Sequence, residues 1–175
     1  NSDELIEWLR QRPLAHYSKK LNTIMVHAGI PPQWTINNTI KYASEVQTIL
    51  RGTNCSKLLS KMYGNKPDLW SPELTSYQRY KFTINALTRM RLIDNEGRLN
   101  FNHNGPPPNK EKRIFPWFEA NRPKWEGTRI IFGHWSALKL IVNEKIIAVD
   151  TGCVWGNQLT AVKLSKKLNI VSVNC

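Results

Sequence analysis

Residues 130–160, IIFGHWSALKLIVNEKIIAVDTGCVWGNQLT, constrain the fold more than any other stretch of this chain. Short apolar, β-branched runs alternate there with turn chemistry. Arg129 to Phe132 ends in Gly133-His134, Lys145 to Val149 ends in Asp150-Thr151-Gly152, and a third run begins near Gln158. Runs of this length bounded by Gly, Asn and Asp read as strands. Strands of an α/β sheet hand over to loops at their carboxyl ends, where such sheets hold ligands. Gly133 is expected to let the backbone bend, so that His134 leaves the sheet edge. The pattern occurs once more upstream: Leu21 to Val26 reads as a buried strand running into His27-Ala28-Gly29. A single strand-exit His is ordinarily a hydrogen-bonded structural residue, but two point toward a shared site. That reading makes a demand on the fold. Both strands must lie in one sheet or in facing sheets and exit at the same end, with the ring nitrogens within about 8 Å.

Elsewhere the apolar spacing is helical. Asn1 to Glu4 caps an amphipathic helix carrying Leu5, Trp8 and Leu9, which Pro13 ends. Pro31 to Trp34 is expected to open a long helical segment, with Ile40, Ala43, Val46, Ile49 and Leu50 on one face and Gly52 as the stop. Cys55 to Tyr63 repeats the pattern briefly, and Tyr77 to Met90 returns to it. Leu92 to Phe101 reads as a hairpin with Asn95-Glu96-Gly97 at its tip. Phe115 to Trp125 carries Trp117, Phe118 and Trp125, which could stack a nucleobase or pack on the helices. With 175 residues, 41% hydrophobic content and no repeat or linker, the chain is read as one domain.

The net charge of +12 favours anionic partners: a polyphosphate, a nucleic acid or a membrane surface. The basic residues are scattered, in Lys19-Lys20, Lys110 to Arg113 and Lys166-Lys167, so charge alone does not choose. No apolar run reaches the roughly 20 residues of a bilayer span, and no membrane is expected. Three Cys without C-x-x-C spacing, in a chain showing no export signal, are expected to be thiols of a cytoplasmic protein, with Cys153 a packed small hydrophobe.

The order of the strings FGHW and AVDTGCVWGNQLTAVKL, preceded by MVHAGIPPQW, MYGNKPDLWSPEL, INALTRMR and PWF, closely resembles the C-terminal part of the symmetrical diadenosine tetraphosphatases, of the calcineurin-like metallophosphoesterase superfamily. The resemblance covers nearly the whole chain. It implies an α/β fold that is part of a four-layer α/β/β/α sandwich. Within it, residues 31–91 form a helical cap and residues 129–175 a sheet portion, with the N-terminal βαβ portion absent. It implies a monomeric hydrolase that splits diadenosine tetraphosphate into two ADP with two divalent ions of the Mn, Co or Mg class. His27 and His134 match two of the superfamily's metal ligands, both on the same ion. Asn85, Arg89 and Arg91 lie in the string near the active cleft, and either arginine could hold substrate phosphate through its planar fork.

The superfamily's other ligand motifs, Asp-x-His, Gly-Asp with Arg-Gly, and Gly-Asn-His, do not occur. The only aspartates are Asp3, Asp68, Asp94 and Asp150, and none stands in such a context. Asp150 is expected to bond its own Asp-Thr-Gly turn rather than a metal. Two readings follow. The chain is a portion of a longer tetraphosphatase, inert by itself, or a non-catalytic basic module that binds nucleotides or RNA. A protein phosphatase of the same superfamily is disfavoured by WSPEL, TRMR and TGCVWG.

Overall fold

The computed structural model describes residues 1–108, 113–165 and 168–175; most of the basic clusters at Lys110 to Arg113 and Lys166-Lys167 therefore lies outside the described residues. In chain order the elements are α1 (Ser2–Arg10), β1 (Ala15–Ser18), β2 (Thr23–Val26), α2 (Ile36–Arg51), α3 (Cys55–Lys61), α4 (Ser76–Arg89), β3 (Leu92–Asp94), β4 (Leu99–Asn100), β5 (Ile114–Pro116), β6 (Arg129–Phe132), β7 (Ile141–Val142), β8 (Ile146–Ala148), β9 (Gln158–Lys163) and β10 (Asn169–Asn174).

Five strands form the central sheet in the order β1-β2-β6-β8-β7. Its middle three, β2, β6 and β8, are parallel, with Ile24 opposite Ile130 and Ile130 opposite Ile146. They are the apolar runs of the sequence. Strands buried on both faces read as continuous hydrophobic runs rather than alternating ones, and Ile130, Ile131, Phe132, Ile146, Ile147 and Ala148 are all buried. The antiparallel edges β1 and β7 are short and more exposed. A second sheet, β4-β3-β5, contains the expected hairpin, whose tip turns at Gly97 with φ +80°. The strand from Gln158 does not join the central sheet. It pairs antiparallel with β10 in a separate two-stranded ribbon.

The second helix starts later than Pro31, because Thr35 caps it: its hydroxyl accepts from the Asn38 amide at 3.1 Å while Asn38 Oδ1 accepts from the Thr35 amide at 3.2 Å. Pro31 to Trp34 is instead a turn that buries Trp34 against Tyr42, Trp70 and Phe82 at centroid distances of 5.0, 5.1 and 5.7 Å. Helix α4 buries Phe82, Ala86 and Leu87 in the same core. A second aromatic group backs β6: Trp117 packs on Trp125, Phe132 and Phe118. Trp117 and Trp125 are thereby buried in the core, so of the two readings of this segment packing is the one realised.

The cysteine expectation needs correction. Cys153 and Cys175 are joined in a disulfide, and only Cys55 is free. Separation in sequence hid the pairing. The ribbon places Asn174 opposite Gln158 and returns Cys175 beside the turn at Cys153. None of the helices among the described residues is long and apolar enough to cross a membrane.

Candidate metal and phosphate site

Adjacent parallel strands β2, β6 and β8 end at one edge of the central sheet. His27 follows β2, His134 stands two residues beyond β6, and Asp150 two residues beyond β8. Sequence separation of His27 from His134 is thus removed by sheet topology alone. The two rings lie with centroids 5.1 Å apart and planes at 52°, which meets the demand set by the strand-exit reading.

The loop after β2 is fixed at every residue. The His27 carbonyl accepts from the Gly133 amide at 3.0 Å, and the Ala28 amide donates to Leu87 O at 2.8 Å. Gly29 must lack a side chain: a Cβ there would stand 2.7 Å from both the Met90 methyl and the Trp117 indole. The Ile30 carbonyl accepts from Trp125 Nε1 at 3.2 Å. After β6 the bend falls on His134 itself, at φ +64°, not on Gly133 as the sequence suggested. A non-glycine residue in the left-handed region is uncommon and is held there by its surroundings. The holding contact is visible. His134 Nε2 lies 3.2 Å from Arg89 O, and a carbonyl can only accept, so Nε2 carries the proton and Nδ1 keeps its lone pair. Metal-ligating imidazoles are oriented by this kind of bond from the other ring nitrogen.

Desolvation, followed by the positive charge of Arg91 and the neighbouring His27, lowers the His134 pKa to about 4, against smaller opposing effects of Arg89 O and Asp150. Desolvation also lowers that of His27, with Asp150 opposing and Arg91 adding to the shift. Both rings are therefore neutral at pH 7 and free to act as ligands.

Arg91 sits where α4 gives way to β3. Its Nη2 donates to His134 O at 3.3 Å and its Nη1 to Asn104 Oδ1 at 3.4 Å, while Nε is buried without a partner. Arg89 points elsewhere. Its guanidinium bonds Asn85 Oδ1 at 2.8 Å and Asn65 Oδ1 at 3.1 Å, and lies 4.6 Å from the Phe101 ring centroid. Asn85 is itself buried, and donates through Nδ2 to Gly64 O at 3.0 Å. Asn65, Phe101 and Asn104, which support the two arginines, were not singled out in the sequence. Asn65 and Asn104 stand in polar loops whose only signal is turn chemistry, and Phe101 ends the expected hairpin and packs against the core. Asp150 Oδ1 accepts from the Gly152 amide at 3.1 Å, the bond to its own turn that Asp-Thr-Gly suggests.

The arrangement offers two neutral imidazoles and a cationic arm at a sheet edge, enough to contribute to one divalent ion beside a phosphate. It is a partial shell. Among the described residues no group of three or more His, Cys, Asp and Glu could hold a metal ion.

No protein-family model matches the chain. By sequence it is similar to curated proteins named symmetrical bis(5'-nucleosyl)-tetraphosphatase. It is 42% identical to that of Burkholderia thailandensis over 165 residues, which is 94% of this chain and 58% of the relative. The same figures hold for the protein from Burkholderia pseudomallei. The protein of Thioalkalivibrio sulfidiphilus is 40% identical over 173 residues, 98% of this chain and 64% of the relative. The chain spans about three fifths of the length of the curated relatives it matches.

Proposed function

We propose that this chain, a sequence relative of the symmetrical bis(5'-nucleosyl)-tetraphosphatases, is the metal- and phosphate-binding C-terminal portion of an enzyme that hydrolyses dinucleoside tetraphosphates into two nucleoside diphosphates. The observation that carries the reading is the 5.1 Å approach of His27 and His134 at the ends of neighbouring parallel strands, beside Arg91. In this reading His27 and His134 bind one divalent ion of the Mn, Co or Mg class, His134 through Nδ1. Arg91 holds a phosphate of the substrate, with Arg89 and Asn85 forming the wall behind it. Bound metal supplies charge neutralisation and Lewis acidity at the scissile phosphoanhydride. The chain's own residues supply orientation. The Arg89 carbonyl fixes the His134 tautomer, and the anchored loop from His27 to Ile30 fixes where the other imidazole leaves the backbone.

Two imidazoles do not make a dinuclear centre, and the relatives are longer than the region matched here. The remaining ligands then belong to a further part of the same enzyme, which would complete a four-layer α/β/β/α sandwich around the helical segment, α2 to α4. The predicted outcome is specific. The 175-residue chain with manganese or cobalt releases no ADP from diadenosine tetraphosphate, whereas the longer protein does so and loses that activity in its His134→Ala variant. Metal-dependent turnover by the short chain above its own His134→Ala control would show that its residues suffice and that the partial-shell reading is wrong.

A further inference from the structure

With Trp117 and Trp125 buried and Phe118 half-buried against Trp117 and Phe132, a more exposed aromatic residue is better placed to stack on a nucleobase. Trp155 stands out: it is 76% exposed, although a tryptophan is costly to leave in water. The turn that displays it, Cys153–Trp155, is tightly built. It lies between two glycines in the left-handed region, Gly152 at φ +79° and Gly156 at φ +76°. Its backbone is closed by Trp155 N to Gly152 O at 2.9 Å and Gly156 N to Cys153 O at 2.9 Å, and the disulfide ties it to Cys175, whose amide donates to Asn157 O at 2.9 Å. The indole is thus presented by a rigid scaffold, which lowers the entropy cost of stacking on it.

Below the indole lies a cavity of about 840 Å³, lined by Ser136, Lys139, Thr151, Trp155, Gln158 and Asn174 among others. Its walls are the loops that leave β6 and β8: Ser136 is two residues past His134, and Thr151 follows Asp150. The cavity is therefore built from the same two loops that carry His134 and Asp150. Its polar groups include both kinds that a base edge needs. Gln158 Nε2 donates to Asn174 Oδ1 at 3.1 Å, which leaves Gln158 Oε1 to accept and Asn174 Nδ2 to donate.

We propose that this cavity is a nucleobase subsite, in which Trp155 stacks on the base of a nucleotide whose phosphates reach the His27, His134 and Arg91 edge. The proposal rests on the reading of that edge as a polyphosphate site. The test uses the 175-residue chain and needs no turnover: calorimetric titration with ADP and, separately, with inorganic pyrophosphate, for the parent, Trp155→Ala and Trp155→Phe chains. Trp155→Ala is expected to weaken ADP binding by roughly five- to 150-fold, the span found when a stacking aromatic is replaced by alanine. Pyrophosphate binding should not change, and Trp155→Phe should keep most of the preference for ADP. Equal loss of ADP and pyrophosphate binding in Trp155→Ala, or none of either, overturns the subsite. Failure of pyrophosphate to bind while ADP binds in a Trp155-dependent way refutes the phosphate-edge reading instead and leaves the base subsite standing.

Discussion

At the scale of single residues, Arg89 and Arg91 carry the same charge two positions apart, and only their surroundings separate them. Arg89 is satisfied by two asparagine side chains and an aromatic face. Arg91 reaches the backbone of His134 and keeps a buried Nε without a partner, a donor that a phosphate oxygen could satisfy. Lysine would keep the charge but lose the planar fork. In the proposed longer enzyme, Arg91→Lys is expected to cost about 2 kcal/mol in kcat/KM, roughly a thirtyfold loss, and Arg89→Lys clearly less. Steady-state kinetics on the two variants decides it; wild-type efficiency in both would move the phosphate role elsewhere. The sequence could name both arginines but not choose between them, since two positions at and just past a helix end say nothing about what stands opposite. It chose the histidines for a physical reason: a strand exit fixes where a side chain emerges, and two such exits share an edge once their strands are parallel neighbours. It missed Trp155 because seven tryptophans look alike until burial sorts them.

At the scale of elements, the strands that were legible, β2, β6 and β8, are those whose burial writes an apolar run. Strands β1, β5 and β7 are two to four residues long and partly exposed, so their pairing comes from neighbours rather than from pattern. Strand β10 is exposed throughout, and no burial signal marks it. Its attachment is correspondingly local. The ribbon is held by its own ladder and the 22-residue Cys153–Cys175 loop. In a Cys175→Ser variant, hydrogen exchange should quicken in β9 and β10 while β2, β6 and β8 keep their protection; uniform loss across the central sheet would contradict a locally attached ribbon. The hairpin is tied down differently. Asp68, in the loop before α4, accepts from Arg98 Nη1 at 2.9 Å and also pairs with Lys66. Burial raises its pKa, but the hydrogen bonds from Lys66 and Arg98 outweigh burial and leave it below the usual value of 3.8. A depressed carboxylate contributes stability that is complete above its unfolded pKa and is lost as pH falls through its folded one. The stability gap between the parent and Asp68→Asn should thus be widest near neutrality and close below pH 4, as denaturant titrations across that range will show. A gap independent of pH would mean that the Asp68 contacts are not ionic in effect.

At the scale of the whole molecule, charge and metal act against each other. A net charge of +12 opposes the approach of a cation, and two imidazoles without a carboxylate partner make a weak site. Metal binding should then report as a small thermodynamic linkage rather than as a folding requirement. A ligand present at its own dissociation constant stabilises the folded state by about 0.4 kcal/mol, and for a chain of this size that is about 1 to 2 °C in Tm. Titrating manganese at about pH 7.5, where both histidines are neutral, should raise Tm by this order at millimolar concentration. The rise should vanish in His27→Ala and in His134→Ala alike, because each ring alone is a poorer ligand than the pair. Trp155→Ala should leave it unchanged, since the base cavity contributes no ligand to the ion. As the pH falls the response should persist further than for a pair of free imidazoles, because burial holds His134 neutral down to about pH 4 and shifts His27 in the same direction. An identical manganese response in parent and both histidine variants would place the ion elsewhere on the molecule, and the close approach of His27 and His134 would then be a matter of packing.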